Sequence, residues 1–217
     1  MNATVEARVH GTGGVVTTRF VLDQEAVALL GGAVGEGAQT SDLSQAGWEI
    51  SPVRPAAGGG AEVELRKAFS RPGDLAVVMG ELAGLAGPLR GFKLDRSRSF
   101  TKARYRLRGT ADLGAGGVAA AGFANAPDLP ARLRDAGVDP DRVAELLAGR
   151  AAEGFHFRLV VELPGREKET FEVRPGAAAM IDLSSETSDR TRPVLLAVAV
   201  LSGLIVLLRL RRRSSQT

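Results

Sequence analysis

From Pro193 to Leu208 the chain reads PVLLAVAVLSGLIVLL, sixteen residues without a charge and with Ser202 as the one polar side chain. Leu210 carries the apolar run past Arg209, so about 18 residues are available, or ~27 Å of helix at ~1.5 Å per residue. That falls just short of a hydrocarbon core of ~30 Å, and the long side chains of Arg192 and Arg209 close the gap by reaching to the headgroups. A buried terminal helix of a water-soluble domain would not ordinarily finish in Arg-Leu-Arg-Arg-Arg. Residues 193–210 are therefore expected to cross a bilayer as a single helix. The chain then divides into a domain at 1–183, a polar juxtamembrane spacer at 184–192, the span at 193–210 and a basic tail at 211–217.

The flanks set the orientation. Arg209, Arg211, Arg212 and Arg213 follow the apolar core of the span without an acid, whereas Arg190 and Arg192 before it are offset by Glu186 and Asp189. The positive-inside bias puts the tail in the cytoplasm and the N-terminal domain outside, a single-pass protein of the cell membrane. Export of such a domain implies a leader, yet Met1–Val5 runs straight into a strand pattern with no basic and apolar signal regions before it. Either the chain is tail-anchored with its basic end outside, or the signal lies upstream of this start; the second is expected, because exporting four arginines opposes the charge bias.

Divided along the chain, the charge changes meaning. The net +3 belongs to the tail: residues 1–192 hold 24 basic and 25 acidic side chains, a formal charge of −1. Nucleic-acid affinity comes from neutralising phosphates and needs a positive folded part, so no nucleic-acid partner is expected. With no cysteine there is no disulfide scaffold, no thiolate-bound metal and no cysteine nucleophile.

The domain reads mainly as strands. Residues 2–9 place Ala3, Val5, Ala7 and Val9 on one face, and residues 15–22 do the same with Val16, Thr18, Phe20 and Leu22. The Gly11-Thr12-Gly13-Gly14 run between them makes a hairpin. Asp23 caps a short helix over 23–30, a loop fills 31–39, and Ser41-Asp42-Leu43 opens one further turn. WEISPV at 48–53 is strand-like, a Pro- and Gly-rich turn occupies 55–60, and a strand follows at 61–69. Pro72 and Asp74 start a helix through LAVVMGELAGLAG. Two strands fill 92–113, a Gly/Ala-rich loop 114–126, and short helices 128–136 and 140–150. A last hairpin pairs 155–163 with 169–175, and 180–183 adds an edge strand. The class is α+β, a mainly antiparallel sheet with a few short helices, plus the one C-terminal transmembrane helix.

The motifs of catalysis are missing. Neither Gly11–Gly14 nor Gly31–Gly37 precedes a Lys-Ser/Thr pair, so both read as turns rather than phosphate loops. His10 and His156, the two histidines, belong to no ligand-spaced set, and no metal or cofactor is expected. No G-x-S-x-G elbow occurs, and Glu62 and Glu64 on one strand face suit solvation or ion pairing. No catalytic residue and no enzyme are expected.

One segment is unusual. Residues 90–108 contain Arg90, Lys93, Arg96, Arg98, Lys102, Arg104, Arg106 and Arg108 against Asp95 alone, a local charge of +7. The period of two puts Lys102, Arg104, Arg106 and Arg108 on one strand face, successive charges ~6.6 Å apart. Such a ladder suits the phosphate or carboxylate of an anionic lipid headgroup, and Arg96 and Arg98 are counted with it. The interleaved Phe92, Phe100 and Tyr105 also allow base stacking. The competing reading is internal pairing with Glu6, Glu62, Glu64, Glu162 and Glu172 on the polar strand faces.

The order of VLDQEAVALLGG, AGWEI, VELRKAFSRPGDLAVVMGEL, GPLRGFKLDRSRSFTKARYRLRGTADL and FHFRLVVELPG resembles the LppM-like domain family of bacterial envelope proteins, over nearly all of residues 2–175. Its most specific part is Gly87–Leu113. The resemblance implies an exported α+β domain, often a lipoprotein, held by a C-terminal helix, with lipid or glycolipid as the suspected ligand. This chain departs from that pattern in having no cysteine to acylate. The expected function is a membrane-anchored, non-enzymatic envelope binding module, its apolar strand faces holding acyl chains and its arginine ladder the headgroup. The alternative is a scaffolding protein that contacts another envelope protein, and a third is an envelope hydrolase whose acids and serines converge in a cleft.

Overall fold

The computed structural model describes residues 2–24, 27, 40–83, 88–99, 101–114 and 155–188. The span at 193–210, its flanking arginines, the helices expected at 128–136 and 140–150, and nearly all of the loops at 31–39 and 114–126 lie outside them. So does most of the helix expected at 23–30. Among the described residues no helix is long and apolar enough to cross a membrane.

The strand alternation of the first residues produces β1 (Asn2–His10) and β2 (Gly13–Leu22), paired antiparallel from Asn2↔Val21 to His10↔Gly13. Gly11 turns the chain at φ +62°, a left-handed conformation that glycine adopts without steric cost. On the far side of β2 lies β5 (Gly60–Phe69), with β3 (Glu49–Ile50) and β4 (Arg54–Ala56) both paired to it. On the far side of β1 lies β8 (His156–Glu162), followed by β9 (Glu169–Val173) across the turn at Pro164-Gly165. These seven strands form one sheet in the order β3-β5-β2-β1-β8-β9, with β4 beside β5. A separate three-stranded sheet holds β6 (Leu89–Arg98), β7 (Lys102–Asp112) and β10 (Ala178–Ser188), with β7 in the middle.

The inward faces of the two sheets share one core. Ala3, Val5, Ala7, Val16, Leu65, Leu159 and Val161 of the larger sheet and Leu94, Leu107, Ile181 and Leu183 of the smaller belong to a single buried cluster. A short helix α1 (Thr40–Gln45) precedes β3, and the longer α2 (Asp74–Ala83) buries Leu75, Val78, Met79 and Ala83, the one-face spacing of an amphipathic helix. Each fully buried aliphatic side chain of this set contributes ~1.5–3 kcal/mol of transfer free energy. Phe92 enters the core beside Gly109, where an added Cβ would come within 2.8 Å of its ring. Tyr105 is buried on β7, and its hydroxyl donates to the Gly11 carbonyl at 2.7 Å, tying the smaller sheet to the β1–β2 turn. Arg166 of the β8–β9 turn donates to the Ser184 carbonyl at 2.9 Å.

The fold is rich in antiparallel pairs with few helices, as the alternation predicts, but four features differ from expectation. β1 and β8 run parallel, since the hydrophobic period carries no information on strand direction. WEISPV yields only the two residues of β3, because Pro52 carries no N–H for a ladder. The turn expected at 55–60 shrinks to a 3₁₀ turn at Ala57–Gly59, and residues Arg54–Ala56 become β4. Finally, the edge strand expected at 180–183 runs to Ser188, so the spacer expected at 184–192 is strand for its first five residues.

Candidate functional site

Strand β7 is the middle of the smaller sheet, and its alternation decides what each face carries. Ala103, Tyr105, Leu107 and Ala111 are buried, so Lys102, Arg104, Arg106 and Arg108 all project outward, as the period of two predicts. Cross-strand register brings Lys93 beside Arg108 and Asp95 beside Arg106 on β6. On β10 it brings Asp182 beside Arg108, Ser184 beside Arg106, Glu186 beside Arg104 and Ser188 beside Lys102.

Each ladder cation meets a carboxylate from a neighbouring strand. Arg106 grips Asp182 with two hydrogen bonds, Nε to Oδ1 at 3.0 Å and Nη2 to Oδ2 at 2.6 Å. Arg104 donates from Nε to Glu186 at 2.7 Å, and Lys102 pairs with the other oxygen of the same carboxylate. Arg108 reaches Asp95 at 2.9 Å, and Lys93 lies 3.2 Å from its other oxygen. At the far end Arg90 sits 3.8 Å from Asp112. The four ladder side chains are 46–70% exposed, so water screens these pairs and they add little stability. They do hold the acids ionised. The Arg106 hydrogen bond holds Asp182 below the usual carboxylate range, Lys102 and then Arg104 do so for Glu186, and Arg108 and then Lys93 do so for Asp95. Asp182 in turn raises Arg106.

The pairing exists, with partners other than those expected. Glu6 and Glu162 bind Arg8 and Lys168, Glu62 and Glu64 bind Arg19, and Glu172 binds Arg158, all within the larger sheet. None of these pairs involves the ladder, whose acids come from β10 and β6. The useful signal was the Asp182-Ser184-Glu186 alternation, which becomes visible only when the strand is carried past Leu183.

Arg96 and Arg98 do not belong with the ladder. They pair across from Tyr105 and Ala103, on the opposite face of β6 from Lys93 and Asp95. The Arg96 guanidinium carbon lies 5.7 Å from the Tyr105 ring centroid, a cation–π stack, and its buried Nε finds no acceptor among the described residues. Phe92 and Tyr105 are buried at 5% and 3% exposure, so they offer no platform for bases.

The outward face is uneven. An open depression of about 710 Å³ spans three residues on each strand, Asp95–Ser97, Arg104–Arg106 and Ser184–Glu186. Six of those nine, Asp95, Ser97, Arg104, Arg106, Ser184 and Glu186, alternate outward. The whole face holds Arg90, Lys93, Lys102, Arg104, Arg106 and Arg108 against Asp95, Asp112, Asp182 and Glu186, a surplus of two positive charges. Among the described residues no group of three or more His, Asp and Glu side chains could hold a metal. His10 and His156 are both exposed on strands, far apart in the sequence. Arg192, Arg209, Arg211, Arg212 and Arg213 lie outside the described residues. No protein-family model, no curated protein and no solved structure matches this chain.

Proposed function

We propose that this chain is a membrane-tethered, non-enzymatic binding module of the cell envelope, its domain outside and its arginine tail in the cytoplasm. The ligand is the anionic headgroup of a lipid or glycolipid, received on the outward face of the smaller sheet. The observation that carries this reading is the surplus of two positive charges on the outward face of the smaller sheet, the face that holds Arg104 and Arg106 of the open depression, on a domain whose own formal charge is −1. A guanidinium has five N–H donors. Glu186 takes one from Arg104 and Asp182 takes two from Arg106, which leaves donors on both for a phosphate or carboxylate. The apolar strand faces are consumed in the shared core, so they do not cradle acyl chains. The ligand's tails stay in the bilayer, and the headgroup alone is contacted. The resemblance to the LppM-like family is consistent with this reading, as is the apolar segment at 193–210.

A second reading, a scaffold that contacts another envelope protein, is favoured by the carboxylate already beside each ladder cation. One measurement separates the two. The full chain is extracted from membranes into lipid-retaining polymer discs and its co-purifying lipids are analysed by mass spectrometry. Anionic lipids are expected above their bulk fraction, and the enrichment should vanish in the R104E/R106E double variant. Equal lipid composition in the two would leave the scaffold reading standing.

A further inference from the structure

The cations of the smaller sheet are not spread evenly along it. Its last four rows, from Arg96–Tyr105–Ser185 to Lys102–Ser188, contain Arg96, Arg98, Lys102 and Arg104 with Glu186 as the one acid, a local charge of +3. The rest of the sheet, down to Leu89 and Asp112, holds Arg90, Lys93, Arg106 and Arg108 against Asp95, Asp112 and Asp182, a local charge of +1. The basic end is also the end at which β10 finishes. From Ser188 the chain needs only five residue steps to Pro193, a reach of at most ~18 Å at ~3.3–3.6 Å per step. Two hydrogen bonds, Tyr105 to Gly11 and Arg166 to Ser184, fix this end against the β1–β2 and β8–β9 turns of the larger sheet. Arg166 is thereby brought to this end already paired with Glu169, and Lys168 of the same turn pairs with Glu6 and Glu162, so neither adds to the surplus.

We infer that this end of the molecule is a docking edge that rests on the anionic headgroups of the same bilayer that holds residues 193–210. The inference rests on the membrane tether proposed above and adds the orientation of the domain and the surface it presents. A spacer this short allows the edge to come within one Debye length (~8 Å) of the headgroups at ~0.15 M salt, where basic residues are attracted to anionic lipid. Lys102 shares Glu186 with Arg104, so one carboxylate serves two cations and the edge keeps a surplus when paired. The depression overlaps this edge through Ser97, Arg104 and Glu186 and extends one row beyond it, to Asp95, Arg106 and Ser184.

The chain has no cysteine, so a single introduced thiol reports one position. Thr101 is exposed in the β6–β7 turn, and Met180, 84% exposed, lies opposite Thr110, nine residues or ~30 Å further along the sheet. Full-length T101C and M180C proteins carrying a fluorophore are reconstituted into phosphatidylcholine vesicles, with or without phosphatidylglycerol, containing a headgroup-nitroxide quencher. Quenching at Thr101 is expected to rise with phosphatidylglycerol and to fall as salt is added, while Met180 stays unquenched. In the R98E/K102E background the docked fraction should drop roughly fivefold or more per reversed cation. Equal quenching at the two positions, or quenching at Thr101 that ignores lipid charge and salt in the otherwise unaltered protein, overturns the docking edge. Failure of the full chain to float with either vesicle overturns the tether and the docking edge together. Flotation without charge-dependent quenching overturns the edge alone.

Discussion

Lys67 shows how one partly buried charge is accommodated by its neighbours. It sits on the inward side of β5, and its ammonium lies 2.5 Å from Glu81 Oε2 of α2 and 2.6 Å from the Ala46 carbonyl. The indole N–H of Trp48 donates to the same carboxylate oxygen at 3.0 Å. Glu81 therefore serves two donors from different elements, and removing it takes the acceptor from the Trp48 N–H and leaves Lys67 with the Ala46 carbonyl but no countercharge. E81A is expected to lower stability by ~1–3 kcal/mol, the cost of leaving buried donors unpaired. Urea denaturation followed by Trp48 fluorescence reads this directly, because Trp48 is the only tryptophan. E81Q, which keeps an acceptor for Trp48, should lose less; an E81A midpoint equal to wild type would show the network to be ornamental. Little of this was legible in the sequence. Lys67 and Glu81 lie fourteen residues apart in different elements, and nothing in either segment marks the pair. The outward direction of Lys102, Arg104, Arg106 and Arg108 was legible, because a strand's period fixes which side chains share a face. Their acidic partners were not, since pairing depends on which strands become neighbours.

At the level of the element, β10 explains both what was missed and why it exists. Beyond Leu183 its inward positions are Ser185 and Thr187, so the apolar alternation stops and the sequence looks like a polar tether. The strand continues as a backbone ladder to β7 as far as Ser188↔Lys102, with Asp182 and Glu186 facing the cations of β7 on the outward side. That makes the junction sensitive to acid, with a defined sign. Asp95, Asp182 and Glu186 have folded-state pKa values below their ordinary 3.8, 3.8 and 4.5. Their contribution is complete above those ordinary values and is lost as pH falls through the lower folded ones. The denaturation midpoint should thus be flat down to about pH 5 and fall in more acid solution. A D182N/E186Q variant should show a shallower fall. If the two slopes coincide, these ion pairs do not hold β10 in place.

For the molecule as a whole, the two sheets behave as one body only if the contacts between them hold. The shared core does most of this, and the Tyr105 hydroxyl adds a polar latch to the Gly11 carbonyl. Y105F keeps the ring and deletes the latch; it is expected to cost about 1 kcal/mol and to speed amide exchange in the β1–β2 turn. Unchanged exchange there would place the coupling in the apolar contacts alone. The strand content and the few helices were readable from periodicity. The division into two sheets and the parallel β1–β8 contact were not, because both are long-range choices made in three dimensions.

That parallel contact has a consequence for biogenesis. β1 is made long before β8 but sits in the interior of the larger sheet, and the flank that β8 fills stays open until His156–Glu162 has been made. Long-range pairing of this kind is slow to form. A nascent chain of this kind completes its larger sheet only late in synthesis, once most of the described strands have been made.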